Sequence, residues 1–165
     1  VGKIYMKDEA DKLAREKGWV FKEEIKVEGG WRRVVPSPDP KDFMNADLVE
    51  RLAREGNIVI TTGGGGIPVY IDEKGDIQPI EGVIDKDLAS AMVGTRVKAD
   101  EFYILTDVPY IYKDYKKPTQ QILEFLDYAD TMKYLEDGTF AEGSMAPKIR
   151  ACLRFVKAEI GRAHV

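Results

Sequence analysis

The sequence predicts an α/β protein, with a largely parallel sheet sandwiched between helices and a small protruding subdomain at the N-terminus. Residues 58–62 and 102–106 are short runs of mostly apolar residues, a composition typical of strands buried on both faces. A helical pattern that starts at Lys86 separates them, and a strand, a helix and a strand at this spacing predict a right-handed parallel unit. Alternating prolines over residues 36–40 predict an extended connector. We therefore expect a subdomain segment over residues 1–40 and a main segment over residues 41–159.

The N-terminal segment predicts one helix and one hairpin. Lys7–Lys17 has a small apolar face, and Gly18 follows where a helix commonly ends in a glycine. Apolar residues then nearly alternate over residues 19–27 and again over residues 31–35. A two-glycine turn lies between these stretches, so we expect them to pair as antiparallel strands.

The main segment predicts four helices and a second hairpin. A helical face begins after Asn45 and ends at Gly56. Residues 113–121 are polar and contain a proline, so they predict a loop. The remaining elements are a hairpin with arms at residues 69–71 and 77–80 and helices that begin near residues 86, 127 and 144.

Composition excludes several classes of protein. The chain has 165 residues, 44% of them hydrophobic and 33% charged, which is typical of one globular domain or a large part of one. The net charge of −4 has both signs interspersed, so nothing predicts a nucleic acid partner. No apolar run predicts a membrane span or a signal peptide. The single cysteine, Cys152, favours a reducing cytoplasm and a role as a small buried hydrophobe.

The last six residues look foreign to the rest of the chain. Residues 160–165 resemble one reading frame of a common sequencing adapter joined to a truncated gene. We therefore expect a non-native tail, the alternative being a natural polar tail. The tail contains the only histidine, His164, to which we assign no catalytic role.

The most informative stretch covers residues 82–91, where Asp85 and Asp87 flank Lys86. Asp85 predicts the N-cap of a helix that begins at Lys86. Lys86 and Asp87 would then lie in the first turn, where free backbone N–H groups favour an anion. Positive charge at such a point suits phosphoryl transfer. The alternative interpretation is an ordinary charged first turn.

A second candidate is the glycine run Gly63, Gly64, Gly65 and Gly66. It follows a predicted strand directly, and ligands of open α/β sheets bind beyond the carboxyl ends of strands. Glycines let the backbone approach a ligand and turn N–H groups toward an anion. The run has neither the lysine of a P-loop nor a dinucleotide fingerprint. A merely flexible loop is the alternative.

Residues 143–148 form a third candidate. We expect Ser144 to cap the last helix and Lys148 to lie in its first turn, where the ammonium group and the backbone N–H groups would cradle phosphates. A solvated surface lysine is the alternative.

Thr106 and Asp107 end another predicted strand and therefore point toward the same crevice. Three tyrosines follow, Tyr110, Tyr112 and Tyr115, which could line an adenine pocket. Core or rim positions are the more ordinary role for such tyrosines.

Together these motifs resemble carbamate kinase, within the amino acid kinases. The resemblance covers nearly the whole chain up to about Glu159, and four motifs in register are more specific than any one alone. The matching stretches are Gly63-Gly-Gly-Gly-Ile-Pro-Val69, Val83-Ile-Asp-Lys-Asp-Leu-Ala-Ser-Ala91, Leu105-Thr-Asp-Val108 and Gly143-Ser-Met-Ala-Pro-Lys148, with Trp31-Arg-Arg-Val-Val-Pro-Ser-Pro38 similar to the end of the family's protruding subdomain.

The resemblance implies a three-layer α/β/α fold and a reversible reaction between ATP and carbamate that gives ADP and carbamoyl phosphate. Lys86 would contact the transferred phosphoryl group, and Asp87, with Asp85 beside it, would hold the lysines. Lys148 would reach the nucleotide phosphates, which magnesium would bridge. The residues implied to bind nucleotide or substrate are Gly63, Gly64, Gly65, Gly66, Thr106, Asp107, Val108, Tyr112, Gly143, Ser144 and Met145.

The resemblance also implies an incomplete protein. The family's first strand and its Gly-Gly-Asn loop are absent, so we expect a C-terminal fragment that is inactive alone and a homodimer at full length. Gly2-Lys3-Ile4 replaces the family's Gly-Pro-Phe, and Pro109 stands where an acidic residue is frequent. Two alternatives stay open. One is a kinase for another small acid, similar to acetylglutamate kinase, and the other is a silent nucleotide-binding regulator.

Overall fold

The computed structural model describes residues 2–24, 27–158 and 162–165. The chain forms two compact units, one comprising Val1–Pro38 and Pro68–Val83, the other Asp39–Ile67 and Ile84–Val165. The division near residue 38 lies close to the predicted connector. However, the hairpin after Pro68 belongs to the first unit, so it interrupts the stretch predicted as one continuous segment over residues 41–159.

The described residues of the first unit before Pro38 form one helix and a three-stranded antiparallel sheet in the order β1-β3-β2. The helix ends as predicted, because Gly18 adopts a left-handed conformation with φ 66° and its N–H donates to Ala14. Strand β1 is an element that the sequence did not predict, and residues 25 and 26 of the predicted first strand lie outside the described residues. The elements are β1 (Ile4–Met6), α1 (Lys7–Lys17), β2 (Val20–Glu23) and β3 (Gly30–Val34).

The predicted second hairpin is confirmed as β4 (Val69–Ile71) paired with β5 (Ile77–Pro79). Its turn is held by the Asp72 carboxylate, which accepts the backbone N–H groups of Lys74 and Asp76, both at 2.9 Å. A side chain that satisfies the turn's N–H groups in this way is what makes aspartate frequent in turns.

The second unit contains the remaining elements, and its helices lie close to where the sequence predicts them. Its described strands form one antiparallel hairpin, β7–β8, and one parallel pair, β6–β9. The α/β class is thus confirmed. The elements are α2 (Ala46–Arg54), α3 (Lys86–Arg96), β6 (Glu101–Tyr103), β7 (Ile111–Lys113), β8 (Gln121–Leu123), α4 (Tyr128–Glu136), α5 (Met145–Lys157) and β9 (Arg162–His164).

One large parallel sheet is not present among the described residues. Residues 58–62 form no strand, and Ile58 and Ile60 are 97% and 94% exposed, so the prediction of a strand buried on both faces is wrong. Strand β6 ends at Tyr103 instead of residue 106. A strand exists only with a hydrogen-bonded neighbour, and no backbone of the described residues pairs with residues 58–60.

The predicted tail takes part in the fold. Residues 160 and 161 lie outside the described residues, whereas β9 runs parallel to β6, with Phe102 opposite Ala163. Ala163 and Val165 also pack against the core. The foreign origin of this tail stays a prediction, because a non-native sequence can pair with the edge of β6 as well as a native one can.

The core that positions the site lies between α3 and α5. Phe155 is fully buried, and a Cβ atom added to Gly94 of α3 would lie 3.1 Å from its ring. The glycine therefore allows the aromatic ring to approach the helix closely. This packing brings the two helices, and with them the side chains of their first turns, together.

Candidate active site

Two lysine side chains converge on one carboxylate at the start of α3. Lys148 Nζ donates to Asp87 Oδ2 at 3.1 Å, and Lys86 Nζ lies 3.4 Å from the same oxygen. The three side chains together carry a net charge of about +1 at neutral pH. We call Lys86, Asp87 and Lys148 the lysine–aspartate cluster.

The two lysines differ in freedom. The Lys148 side chain is 13% exposed and that of Asp87 is 8% exposed, so this pair is held inside the second unit. The Lys86 side chain is 57% exposed. Lys148 is therefore a fixed charge, whereas Lys86 can leave Asp87 and meet a ligand at little cost, since exposed ion pairs contribute little.

The first turn of α3 is fixed by its cap. Asp85 Oδ1 accepts the backbone N–H groups of Asp87 at 2.9 Å and of Leu88 at 3.0 Å, which confirms the predicted N-cap. Such a cap stabilises a helix by about 1 kcal/mol. The cap fixes the backbone from which Lys86 and Asp87 project.

The glycine run lies against this cap. Gly65 is buried with φ 127°, and a Cβ atom there would lie 2.2 Å from the Ile84 carbonyl oxygen. Gly63, Gly64 and Gly66 have open space around the same position. Packing against Ile84 thus explains why residue 65 is a glycine. The open space beside Gly63, Gly64 and Gly66 leaves room for a ligand.

The start of α5 differs from the prediction. The helix begins at Met145 and Lys148 lies in its first turn as expected, but the Ser144 hydroxyl makes no capping hydrogen bond. The prediction that Ser144 caps the helix is wrong, because a backbone turn replaces the cap. The N–H groups of Ser144 and Ala146 both donate to the Ala141 carbonyl oxygen, and Gly143 is exposed in that turn.

The other predicted binding residues lie in the same unit without a hydrogen bond or ion pair to the cluster among the described residues. The Thr106 hydroxyl lies 3.4 Å from Asp107 Oδ1, and Val108 is half-buried. Tyr112 lies in β7, stacked on Tyr115 with ring centroids 5.6 Å apart. Their role in nucleotide binding stays a prediction.

Sequence reasoning did not connect Cys152 with the cluster. It lies one helical turn after Lys148, and burial, with a smaller effect from the Asp87 charge, raises the pKa of its thiol to about 12. The thiol is therefore a neutral, apolar neighbour of the buried ion pair. The spacing of four residues on α5 could have indicated this proximity.

The described residues contain neither a cluster suited to a metal ion nor a helix suited to a membrane. No group of three or more histidine, cysteine, aspartate and glutamate side chains within the described ranges is placed to hold a metal ion. None of the helices in the part of the chain that the structure describes is long and apolar enough to cross a membrane.

Comparison with known proteins decides the family. The profile of the amino acid kinase family matches residues 10–165. The chain belongs to the amino acid kinase family.

Within the amino acid kinase family, this chain is similar to carbamate kinases. A carbamate kinase from Thermoplasma volcanium is 46% identical over 157 residues, which are 95% of this chain. Among solved structures, a carbamate kinase from Giardia lamblia bound to AMP-PNP matches with a TM-score of 0.86, 37% identity and 99% of this chain covered. A crystal structure from Aeropyrum pernix K1 matches with a TM-score of 0.89 and 42% identity over the same share.

The chain spans about half the length of the relatives that it matches. It covers 50% of the Thermoplasma protein, 51% of the Giardia structure and 52% of the Aeropyrum structure. These shares give the extent of the match, and correspondence to the C-terminal half stays a prediction.

Proposed function

We propose that the protein represented by this chain is a carbamate kinase, which transfers a phosphoryl group reversibly between ATP and carbamate and yields ADP and carbamoyl phosphate. Relatives with that name are 46% identical over 95% of this chain. Because the chain covers half of them, the proposal concerns the full-length protein, and we expect this chain alone to be inactive.

The lysine–aspartate cluster carries the proposal. In phosphoryl transfer, negative charge spreads over the oxygens of the transferred group, and positioned cations stabilise it. Lys86 is mobile enough to follow that group, and its ammonium would neutralise the developing charge. Asp87 touches both ammonium groups and would act as a positioning residue. No covalent intermediate is needed, since positioning and electrostatics suffice.

The buried lysine is suited to the nucleotide. Lys148 is held at 3.1 Å from Asp87, and we propose that it contacts the phosphates of ATP or ADP. The open glycine positions of the run would lie against the substrate and nucleotide, while Thr106–Val108, Tyr112 and the turn at Gly143, Ser144 and Met145 would enclose the nucleotide. The AMP-PNP bound to the Giardia relative supports a nucleotide ligand.

Magnesium would enter with the nucleotide. Asp85 Oδ1 already accepts two backbone N–H groups and Asp87 Oδ2 interacts with two ammonium groups, so these carboxylates are committed to the protein. Mg²⁺ in such sites is typically carried by substrate phosphates and water. Its contribution when bound would be to neutralise the phosphates that it bridges.

The cellular setting follows from the same proposal. We propose a cytoplasmic enzyme of arginine catabolism that works chiefly toward ATP synthesis and forms a homodimer at full length. The single cysteine and the mixed charge pattern support a reducing compartment and small-molecule substrates, with no nucleic acid or membrane partner.

The test is ATP formation from Mg·ADP and carbamoyl phosphate by the full-length protein that contains this chain. We expect activity that falls at least ~100-fold in Lys86→Ala, because charge on the transferred group is no longer neutralised. Lys133→Ala, which removes an exposed lysine of α4, is the matched control and should keep full activity.

Other results would change the assignment. Bound Mg·ADP without ATP formation from carbamoyl phosphate would overturn the carbamate kinase proposal. Turnover with an acetylglutamate-like acid would then assign another acceptor, and no turnover with any small acid would assign a silent nucleotide-binding regulator.

A further inference from the structure

The segment that leads into α5 has buried ends and an exposed middle. Phe140 is 4% exposed and Ala146 is fully buried, and both belong to the same core cluster. Residues 141–144 between them are exposed. The backbone N–H groups of Ser144 and Ala146 both donate to the Ala141 carbonyl oxygen, at 3.1 and 3.0 Å. The core thus fixes where this turn begins and ends, whereas its exposed residues must be ordered by contacts of their own.

The start of α5 lacks the side-chain contacts that usually order such a turn. The helix has no side-chain cap at Ser144 and no acidic residue in its first turn. Caps and first-turn carboxylates ordinarily satisfy the free N–H groups of a helix and interact favourably with its dipole. Any side chain that orders this turn must therefore act from elsewhere in the unit.

An ion pair between Glu142 and Arg150 supplies that contact. Arg150 lies in the second turn of α5, and its Nη1 and Nη2 atoms donate to Glu142 Oε2 and Oε1 at 2.8 and 2.7 Å. Two parallel hydrogen bonds make this the geometry in which an exposed ion pair is most specific. The hydrogen bond between the two side chains is also the main cause of the lowered pKa of Glu142 and the raised pKa of Arg150. The exposed turn is thereby tied to the helix that follows it.

The same helix carries the buried lysine of the lysine–aspartate cluster. Arg150 and Lys148 project from opposite sides of α5, because residues two apart are separated by about 200° around a helix. The Lys148 ammonium is held at 3.1 Å from Asp87, whereas the Arg150 side chain is 44% exposed. Ile149 and the other buried residues of α5 fix the helix in the core. One packed helix thus connects the turn to Lys148.

We propose that Glu142 and Arg150 form a positioning pair for nucleotide binding. The pair holds Gly143, Ser144 and Met145 in the conformation that encloses the nucleotide while Lys148 meets its phosphates. The inference rests on the nucleotide site of the proposed function and adds two residues to it, neither of which touches the transferred group. When the pair is broken, the turn samples other conformations, and the apparent dissociation constant rises in proportion to the loss of the competent one.

The experiment is a double-mutant cycle on the full-length protein that contains this chain, with Mg·ADP affinity measured by titration calorimetry. Glu142→Gln and Arg150→Met should each weaken binding about fivefold, the size expected for one well-formed exposed ion pair. The double variant should also lose about fivefold instead of about 25-fold, because the second substitution removes a side chain that has already lost its partner. Glu142→Arg with Arg150→Glu rebuilds the pair in reverse and should restore affinity to within about twofold.

A second measurement follows the turn without any ligand. Hydrogen exchange at the Ser144 and Ala146 amides should be about fivefold faster in Glu142→Gln and normal in the reversed pair. Glu16→Gln is the matched control, since it removes one carboxylate of an exposed ion pair with Lys12 on α1. It should change neither the exchange nor the affinity.

Steady-state kinetics separate positioning from catalysis. In Glu142→Gln the KM for Mg·ADP should rise while kcat stays within about twofold, because the substitution leaves Lys86 in place. A fall in kcat with unchanged KM would contradict a role in nucleotide binding.

Three further outcomes would overturn the proposal. The first is faster exchange of the turn with unchanged Mg·ADP affinity, which would limit the pair to stability. The second is a loss of about 25-fold in the double variant, which would show that the two side chains act separately. The third is an unsubstituted protein that binds no Mg·ADP, which would refute the nucleotide site as well. The expected affinities without ATP formation from carbamoyl phosphate would refute only the proposed reaction and support this inference.

Discussion

Asp87 is the residue whose charge most directly sets the energetics of the site. Its neighbour Lys148 is 13% exposed and has Asp87 as its ion-pair partner among the described residues. Asp87→Asn should therefore lower the free energy of unfolding by about 3 kcal/mol, because an ammonium group stays buried without its counter-charge. Urea unfolding at pH 7 measures the loss.

The control for that substitution is Lys86→Met, which removes the exposed member of the same cluster. It should cost less than about 1 kcal/mol, as exposed ion pairs do. Equal losses in the two variants would mean that the Lys148–Asp87 pair is not the buried ion pair described above.

The neighbouring thiol gives a prediction at high pH. Burial raises the pKa of Cys152 from its ordinary value of 9.0 to about 12, so the folded chain holds this proton more tightly than the unfolded chain. Stability should accordingly fall as the pH rises from 9 toward 12. In Cys152→Ala this decline should become shallower, and the remainder includes Tyr103, whose pKa is raised chiefly by its hydrogen bond to Glu101. Thiol alkylation of the native chain at pH 8 should be slow until urea unfolds it.

At the scale of elements, the effect of the α3 cap on stability can be measured separately from its effect on ligand binding. Asp85→Ala removes an acceptor of two N–H groups and should cost about 1 kcal/mol. Asp127→Ala removes the equivalent cap of α4, where the side chain accepts the N–H of Asp130, and should cost a similar amount.

The two caps should differ in their effect on nucleotide. Titration calorimetry with Mg·ADP on the full-length protein should give weaker binding in Asp85→Ala, since Lys86 and Asp87 lose their fixed first turn. The Asp127→Ala protein should bind normally. If both variants bind alike, the cap serves stability only.

Two substitutions in the glycine run distinguish a glycine that is needed for packing from one that is needed for ligand binding. Gly65→Ala should unfold the chain or cost several kcal/mol, because its Cβ would lie 2.2 Å from the Ile84 carbonyl oxygen at a φ of 127°. Gly64→Ala has open space and no left-handed backbone, so thermal unfolding should be nearly unchanged. If a ligand approaches that backbone, Gly64→Ala should still weaken Mg·ADP binding, and unchanged affinity would contradict this.

For the whole molecule, the elements that could be predicted are those whose cause is local. The cap at Asp85 and the glycine at 18 are set by residues next to the helices that they bound, and both were predicted from the sequence. The helix start near residue 127 was predicted as well, although the capping role of Asp127 was not. The predicted strands 58–62 and 102–106 depend on neighbours far away in sequence. The first prediction is wrong, since residues 58–62 form no strand and Ile58 is 97% exposed, and the second holds only for residues up to Tyr103.

The candidate site likewise combines features with a local cause, which could be predicted, and features that depend on contacts far apart in sequence. The positions of Asp85, Lys86 and Asp87 at the start of α3 were predictable from a cap pattern. The 3.1 Å contact from Lys148 to Asp87 spans 61 residues and depends on how α5 packs on α3, so spacing alone could not give it. The alternative turn that replaces the Ser144 cap is likewise a choice between two local hydrogen-bond patterns that the sequence leaves open.

Acid stability is distributed over the molecule, because four carboxyl groups among the described residues have lowered pKa values. Hydrogen bonds from Lys41 and then Arg154 lower the pKa of Asp39, one from Lys117 lowers that of Asp114, and one from Arg150 lowers that of Glu142. The pKa of Asp72 is lowered chiefly by the backbone N–H of Asp76.

Each of these groups binds its proton less tightly when folded, so its stabilisation is complete above the ordinary values of 3.8 and 4.5 and is lost as the pH falls below them. The urea midpoint should thus be level near neutral pH and decline below about pH 5. Added 0.5 M NaCl should flatten the decline due to the three charge-paired groups, since salt screens exposed ion pairs. The part due to Asp72 should persist, because backbone hydrogen bonds cause it, and should vanish only in Asp72→Asn. A decline that 0.5 M NaCl abolishes completely would contradict the assignment of Asp72 to its turn.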